Sequence, residues 1–191
     1  MSKFYHRIKL NFLLELVDYV TQDVERNYPN LNVKYQEKII HKLPIELTDK
    51  INSEFKAMGF PNMWYMQSYI RAKGNVQGIH VDGYNNIVHS AINIPISGTE
   101  GTRHVYYSGD YELKQVVTET IQYHAIVWKS PPLEEDVLEL DTTYLLRVDA
   151  PHSAEANKNK DRWISTIRMQ GNPMYEDLVE KYEKYIQSNI G

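Results

Sequence analysis

Apolar residues recur at three- and four-residue spacing in three stretches of the chain, and this spacing is typical of amphipathic helices. The first stretch covers residues 8–28, the second begins at Pro44 and stops at Gly59, and the third follows Asn172 and Pro173. Each stripe is predicted to pack against the rest of the protein. The stripes are Phe12, Leu13, Leu16, Val17, Val20 and Val24, then Leu47, Ile51, Phe55 and Met58, then Tyr175, Leu178, Val179, Tyr182 and Ile186.

After Pro61 the pattern changes to short runs of β-branched and aromatic residues separated by turn residues, which predicts strands. Between residues 31 and 43 the pattern is ambiguous, although residues 33–35 fit a short strand. Many short strands without intervening helices indicate a sandwich or jelly roll and not a βαβ sheet. The predicted strands are residues 63–71, 78–82, 87–96, 103–108, 115–123, 125–128, 137–140, 143–148 and 162–169.

Length and composition narrow the class of protein. A chain of 191 residues with 42% hydrophobic and 24% charged residues has the size of one domain. We expect helical support in residues 1–60, a β core in 61–170 and a helix in 171–191. The net charge of −4 argues against nucleic acid as a partner. The absence of cysteine excludes disulfides, thiolate nucleophiles and zinc–thiolate sites.

Two further expectations concern location. The first nine residues have the charge of a signal peptide's opening, but Asn11, Glu15 and Asp18 interrupt the apolar run that should follow. No window is apolar over the length that a bilayer requires. We therefore expect a cytoplasmic protein without a membrane span.

The candidate chemistry begins with His80 and Asp82, which are two residues apart and so project from the same face of an extended strand. His152, from a distant part of the chain, would complete a set of two histidines and one carboxylate, which is typical of non-haem Fe(II) sites and leaves three positions open. Arg162 would then provide a planar fork for the far carboxylate of a 2-oxo acid. The alternatives are a turn at Asp82-Gly83 and a loop histidine at 152.

In their order and separation, His80-x-Asp82, His152 and Arg162 resemble the 2-oxoglutarate/Fe(II)-dependent oxygenases. The resemblance spans residues 64–170 and implies a mainly β fold with flanking helices and a double-stranded β-helix (jelly-roll, cupin-like) core. It also implies Fe(II), 2-oxoglutarate and dioxygen, with hydroxylation of an unactivated C–H bond and release of succinate and CO2. Residues 68–74 are similar to the prolyl-hydroxylase branch and residues 90–96 to the aspartyl/asparaginyl-hydroxylase-like branch, so the branch stays open.

Other residues are assigned roles on the same basis. The resemblance implies that Tyr69 faces the co-substrate, and Asn93 is a second candidate to hydrogen-bond it. Arg168 shares a strand face with Arg162, Ile164 and Thr166, and it could bind the co-substrate, bind the substrate or pair with an acidic side chain. An edge strand with both arginines in water is the alternative. Tyr84, Asn85 and Asn86 could line a substrate mouth or form a turn. His89, His104 and His124 are interpreted as surface or core histidines.

Two other functions remain open at this point. One is a cupin-like metal enzyme that does not use 2-oxoglutarate, and the other is a non-catalytic module that binds a peptide or sugar. The substrate, a peptide or protein side chain or a small molecule, is not chosen by any motif. We expect the loops at residues 110–141 and 153–161 to set specificity.

Overall fold

The computed structural model describes residues 2–83, 86–117 and 122–189, which contain three helices and eleven strands. Nine of the strands follow one another between the second and third helices. The helices are α1 (Leu13–Asn27), α2 (Ile45–Ala57) and α3 (Tyr175–Asn189). The strands are β1 (Tyr5–Arg7), β2 (Gln36–His41), β3 (Met63–Arg71), β4 (Ser90–Ser97), β5 (Arg103–Ser108), β6 (Tyr111–Val117), β7 (Gln122–Trp128), β8 (Leu133–Leu138), β9 (Tyr144–Arg147), β10 (His152–Glu155) and β11 (Arg162–Met169).

The strands form two larger antiparallel sheets and a separate hairpin. The major sheet has six strands in the order β1-β9-β4-β11-β3-β2, and the minor sheet has three in the order β10-β5-β8. The hairpin consists of β6 and β7. A pocket lies between the two larger sheets, with His104 and His152 from the minor sheet and Asn93 and Arg162 from the major sheet among its walls. The predicted fold class is confirmed: the protein is mainly β with flanking helices, and its core is a cupin-like jelly roll, the double-stranded β-helix.

Side chains along β11 alternate between the two faces of the major sheet, so that one face lines the pocket and the other packs in the hydrophobic core. Arg162, Ile164, Thr166 and Arg168 line the pocket between the sheets, whereas Ile167 packs among the helices on the other face. This is the two-residue periodicity of a strand. β11 lies between β4 and β3, so its arginines are not on an edge, and the edge-strand alternative is wrong.

The helices cover the outer face of the major sheet. Their predicted stripes are buried there, and side chains such as Leu16, Ile51 and Phe55 are completely inaccessible. Each such side chain contributes about 1.5–3 kcal/mol to folding. They pack on sheet residues that include Ile92 and Leu145. The helices thus pack on the outer face of the major sheet, and polar side chains lie on its inner face.

Several element boundaries differ from the prediction. The first helix begins at Leu13 and not at residue 8, because residues 5–7 pair with β9 as β1. In the ambiguous segment the strand is Gln36–His41 and not residues 33–35. Together β1 and β2 add two strands to the part of the chain predicted as helical support.

Further differences lie in the β region. The strands predicted at residues 87–96 and 137–140 are β4, Ser90–Ser97, and β8, Leu133–Leu138. Residues 78–82 do not form a continuous strand; within them His80 forms an isolated bridge with His152. The single strand predicted at residues 115–123 is wrong: its first residues lie in β6 and its last residues in β7, and these two strands pair in a hairpin. Residues 118–121 lie outside the described part of the chain. β10 was not predicted. In each case the pairing partner, and not the local pattern, decides the boundary.

None of the helices in the described ranges has the length and apolar character needed to cross a membrane.

Candidate metal centre

His80 and His152 lie directly opposite each other on neighbouring backbone segments. Residues 76–80 run antiparallel to β10, and the backbone N–H of each histidine donates to the carbonyl of the other at 2.9 Å. Opposite residues in such a pair project to the same face. The two imidazole rings are consequently 4.4 Å apart between centroids.

Backbone carbonyls determine which nitrogen of each ring is free. The Nδ1 of His80 lies 2.9 Å from the Gly78 carbonyl oxygen, and the Nδ1 of His152 lies 2.9 Å from that of Ala150. A carbonyl oxygen can only accept, so both Nδ1 atoms carry a hydrogen, and in the neutral ring Nε2 then carries the lone pair. Gln77 donates its amide N–H to the Nε2 of His80 at 2.8 Å, which agrees with this assignment.

Both Nε2 atoms face one oxygen of Asp82. The Oδ1 atom lies 3.4 Å from the Nε2 of His80 and 3.8 Å from that of His152. Donors bound at right angles to one ion at about 2.1 Å are about 3 Å apart. Among the described residues, His80, Asp82 and His152 form a group whose ligand atoms all lie within 4.8 Å of one another. Small movements would bring these atoms onto one metal ion.

The backbone of Asp82 is held in place at a tight turn. Its N–H donates to the Val148 carbonyl at 2.8 Å, and its carbonyl accepts from the Val88 N–H at 2.9 Å. Gly83 follows with φ of 128°, and a Cβ there would meet the Asn86 carbonyl oxygen at 2.1 Å. A side chain at position 83 would therefore displace Asp82 from the two histidines.

Arg168 orients the Asp82 carboxylate. Its Nη2 lies 2.5 Å from Oδ2, so that Oδ1 is left for the histidines. Burial by itself would raise the pKa of Asp82, but Arg168, His80 and His152 together lower it well below its usual value. Burial and the neighbouring His80 lower the pKa of His152 to about 4. At neutral pH the site therefore presents an ionised carboxylate and a neutral His152, which are the protonation states that bind metal.

Arg162 is buried, and no carboxylate among the described residues forms a salt bridge with it. Only 2% of the residue is exposed, and its Nε and Nη2 have no hydrogen-bond partner among the described residues. Arg71 is its direct neighbour on β3, and among the described residues that guanidinium donates to the neutral side chains of Gln36, Asn75 and Gln77. Burial, with a contribution from Arg71, lowers the pKa of Arg162 to about 9. Such a group is costly unless a ligand brings negative charge to it.

The remaining predicted residues also reach the space between the sheets. This inner pocket is bounded by His80, Asp82, Asn93, His104, His152 and Arg162, and Tyr69 and Arg168 also line it. Asn93 Oδ1 accepts from the Thr166 hydroxyl at 2.8 Å, and the Tyr69 hydroxyl accepts from Gln67 at 2.6 Å. Burial and Asp82 raise the pKa of Tyr69 to about 12, so it is a neutral hydrogen-bonding group. Their contact with a co-substrate stays a prediction.

His104 belongs to the site's surroundings, although sequence reasoning had set it aside with His89 and His124. It lines the inner pocket, and its ring stacks on that of His152 at 4.8 Å. Its shared strand face with Tyr106 was visible in the sequence, but the pairing of β5 with β10 was not. His89 is instead paired with Asp149 at 2.9 Å, a carboxylate that local spacing did not indicate.

A second cavity of about 490 Å³ opens beside the metal centre. We call it the outer cleft; Trp64, Tyr65, Tyr69, Asp82, Asn86 and Arg168 are among its walls. Tyr69, Asp82 and Arg168 line both cavities and therefore lie between the outer cleft and the inner pocket. Of the residues proposed for a substrate mouth, Asn86 lines this cleft, and Tyr84 and Asn85 lie outside the described residues.

Comparison with known proteins gives structural likeness alone. No protein-family model matches the sequence, and no curated protein matches it. The chain is similar to a viral collagen prolyl hydroxylase from Paramecium bursaria Chlorella virus-1, solved with 2OG, at 13% identity and a TM-score of 0.49, with 87% of this chain and 94% of that chain covered. A Burkholderia pseudomallei oxidoreductase of the 2OG-Fe(II) oxygenase family is similar at 11% identity and a TM-score of 0.47, with 84% and 81% covered.

Escherichia coli ycfD is similar at 14% identity and a TM-score of 0.44, with 85% of this chain covered. The chain spans only 41% of the length of that protein. At these identities the likeness concerns the fold.

Proposed function

We propose that this protein is an Fe(II)- and 2-oxoglutarate-dependent dioxygenase that hydroxylates an unactivated C–H bond and releases succinate and CO2. The observation that carries the proposal is the convergence of His80, Asp82 and His152 beside the buried guanidinium of Arg162, whose Nε and Nη2 have no hydrogen-bond partner among the described residues. The first three side chains fit a metal ion, and the fourth fits a carboxylate. Their combination fits a metal together with an anionic co-substrate.

The donor set supports Fe(II) as the metal. Two imidazole nitrogens and one carboxylate oxygen on a single side leave open positions, the arrangement used by non-haem Fe(II) oxygenases. Iron bound there would supply the activation of dioxygen. His80 and His152 would hold it through Nε2, and Asp82 through Oδ1.

The remaining side chains would position the organic partners. Arg162 would bind the distal carboxylate of 2-oxoglutarate, which compensates its buried charge. Tyr69 and Asn93, which line the same pocket, would hydrogen-bond the co-substrate. Arg168 would hold Asp82 and so keep the metal between the inner pocket and the outer cleft.

The volume and the walls of the outer cleft favour a peptide or protein side chain, or a small molecule, as the substrate. Its volume of about 490 Å³ is within the range of small-molecule sites, and it reaches Asp82 directly. Exposed Trp64 and half-buried Tyr65 provide an aromatic wall. A substrate bound there would lie beside the metal. We retain a cytoplasmic location and no nucleic-acid partner as part of the proposal.

The test is release of succinate from 2-oxoglutarate by the Fe(II)-loaded protein, measured with pools of candidate peptides and small molecules. His80→Ala, which removes one proposed ligand, serves as the blank. We expect turnover of 2-oxoglutarate by the wild type that rises when a substrate pool is added, and none by the variant. Equal turnover by the two proteins contradicts the proposal. Metal binding without any effect of 2-oxoglutarate favours a different cupin-like metal enzyme, and loss of both favours a binding module.

A further inference from the structure

His104 occupies a defined place beside the metal centre. It is the second residue of β5 and pairs with Ala154 of β10, two residues from His152. Residues two apart on a strand face the same side, so the rings of His104 and His152 come together. Their centroids are 4.8 Å apart and their planes differ by 16°.

The ring of His104 is buried without hydrogen bonds. The residue is 4% exposed, and neither Nδ1 nor Nε2 has a partner among the described residues. Leaving a buried polar group unpaired is unfavourable, because the group loses its hydrogen bonds to water. An apolar side chain would fill the same space without that cost, so packing alone does not explain a histidine here.

The ring of His104 provides a hydrogen-bond donor, because an imidazole ring carries at least one N–H. The neutral ring has one N–H and one lone pair. His104 is also outside the group of three residues whose ligand atoms lie within 4.8 Å of one another, so it is not part of the metal-ligand set.

The inner pocket provides a reason for an additional donor. Arg162 projects into it from the major sheet and His104 from the minor sheet, and both have unpaired N–H groups. Two other polar groups of the pocket, the Asn93 carbonyl and the Thr166 hydroxyl, are hydrogen-bonded to each other. The pocket therefore has free donors, and a carboxylate is the group that accepts from several donors at once.

We propose that His104 donates a hydrogen bond to the distal carboxylate of the co-substrate, so that Arg162 and His104 hold one anionic group from opposite sheets. This inference rests on the proposed function and adds a binding residue to it. His104 would distinguish a 2-oxo diacid from a 2-oxo monoacid, because only the diacid has a carboxylate at that end.

The experiment measures ligand affinity and not turnover. The full chain is loaded with Mn(II), and 2-oxoglutarate is titrated by calorimetry; 2-oxobutyrate, which has the chelating end but no distal carboxylate, is titrated in parallel. His104→Phe keeps an aromatic ring without N–H groups. His104→Gln and His104→Asn place an amide N–H near the positions of Nε2 and Nδ1. The Mn(II) affinity of every variant is measured first.

We expect His104→Phe to weaken 2-oxoglutarate binding about tenfold, the effect of one lost hydrogen bond to a charged group. Mn(II) and 2-oxobutyrate affinities should change by less than about twofold. Either the Gln or the Asn variant should restore most of the 2-oxoglutarate affinity.

Unchanged 2-oxoglutarate affinity in His104→Phe overturns the inference alone. So does an equal loss for both ligands, or a loss of Mn(II), because these results assign His104 to the support of His152. If the Mn(II)-loaded wild type binds no 2-oxoglutarate, the proposed function itself fails.

Discussion

Arg168 and Asp82 form an ion pair at the wall between the two cavities, with Nη2 and Oδ2 2.5 Å apart. The two residues are 86 positions apart in the chain. Their contact leaves the second carboxylate oxygen of Asp82 directed at His80 and His152. An arginine that sequence reasoning assigned to ligand binding is thus engaged by a candidate metal ligand, one of the options left open for it.

We expect Arg168→Leu to weaken Mn(II) binding by about 10- to 100-fold, the usual effect of removing a partner that orients a metal ligand. The reason is that Asp82 loses the contact that turns Oδ1 toward the histidines. Titration of free Mn(II) by electron paramagnetic resonance measures the change. Arg26→Leu, an exposed substitution near the end of α1, is the matched control. A folded Arg168→Leu protein with wild-type affinity would show that Asp82 does not depend on the ion pair.

Metal-dependent stabilisation should require His152. Mn(II) at 100 times its Kd should raise the free energy of unfolding of the wild type by about 2.7 kcal/mol. His152→Ala should abolish this increase because it removes one of three ligands. His89→Ala is the control, since His89 pairs with Asp149 and does not belong to the ligand group. Thermal unfolding with and without Mn(II) gives the comparison, and a full Mn(II) effect in His152→Ala would refute the proposed ligand set.

Arg162→Met should increase the stability of the metal-free protein and weaken the binding of 2-oxoglutarate. We expect the metal-free variant to be more stable than the wild type by about 1–3 kcal/mol, because an unpaired buried charge is replaced by an apolar side chain. The same change should weaken 2-oxoglutarate binding to the Mn(II)-loaded protein by at least about 100-fold. Urea unfolding and calorimetry measure the two effects.

The control for this pair of measurements is Arg103→Met. Arg103 is partly exposed and forms salt bridges with Glu134 and Glu155 on the surface. Its loss should change stability by less than about 0.5–1 kcal/mol and leave 2-oxoglutarate binding unchanged. A destabilised Arg162→Met protein that still binds 2-oxoglutarate would show that Arg162 is a structural residue.

The stability of the metal-free protein should depend on Asp82 at acid pH. Its pKa is lowered in the folded protein, where Arg168, His80 and His152 face it, relative to an ordinary value of 3.8. The unfolded chain therefore takes up the proton first, so the stabilisation is complete above pH 3.8 and is lost as the pH falls toward the lower folded pKa.

Asp82→Asn removes this dependence. Between those two pKa values the wild-type free energy of unfolding should fall more steeply than that of the variant, by up to about 1.4 kcal/mol per pH unit. Urea unfolding at pH 4.5, 3.5 and 2.5 in a chelator measures both curves. They should converge toward acid pH, and parallel curves would show that Asp82 has no lowered pKa in the folded protein.

The local pattern of apolar and polar residues was sufficient to predict many of the helices and strands. The limits of β3, β5 and β11 are as predicted, because long apolar alternation or clear turns define them. The helical stripes are buried as expected, although α1 begins later. His80, Asp82, His152 and Arg162 were selected by residue type and spacing, since few residue types bind metal or carboxylates. The structure brings the first three together, while their roles stay predictions.

The sequence by itself thus determined the helices, the longer strands and the residue types available for chemistry, because these depend on near neighbours in the chain. Tertiary structure alone decided the pairings of β1 and β10, the partner of Arg168 and the burial of His104. Short strands gain their hydrogen bonds from distant partners, and a charged or polar side chain acquires its partner only when two sheets close over it. Such contacts join residues about 50 to 140 positions apart, and local periodicity carries no information about them.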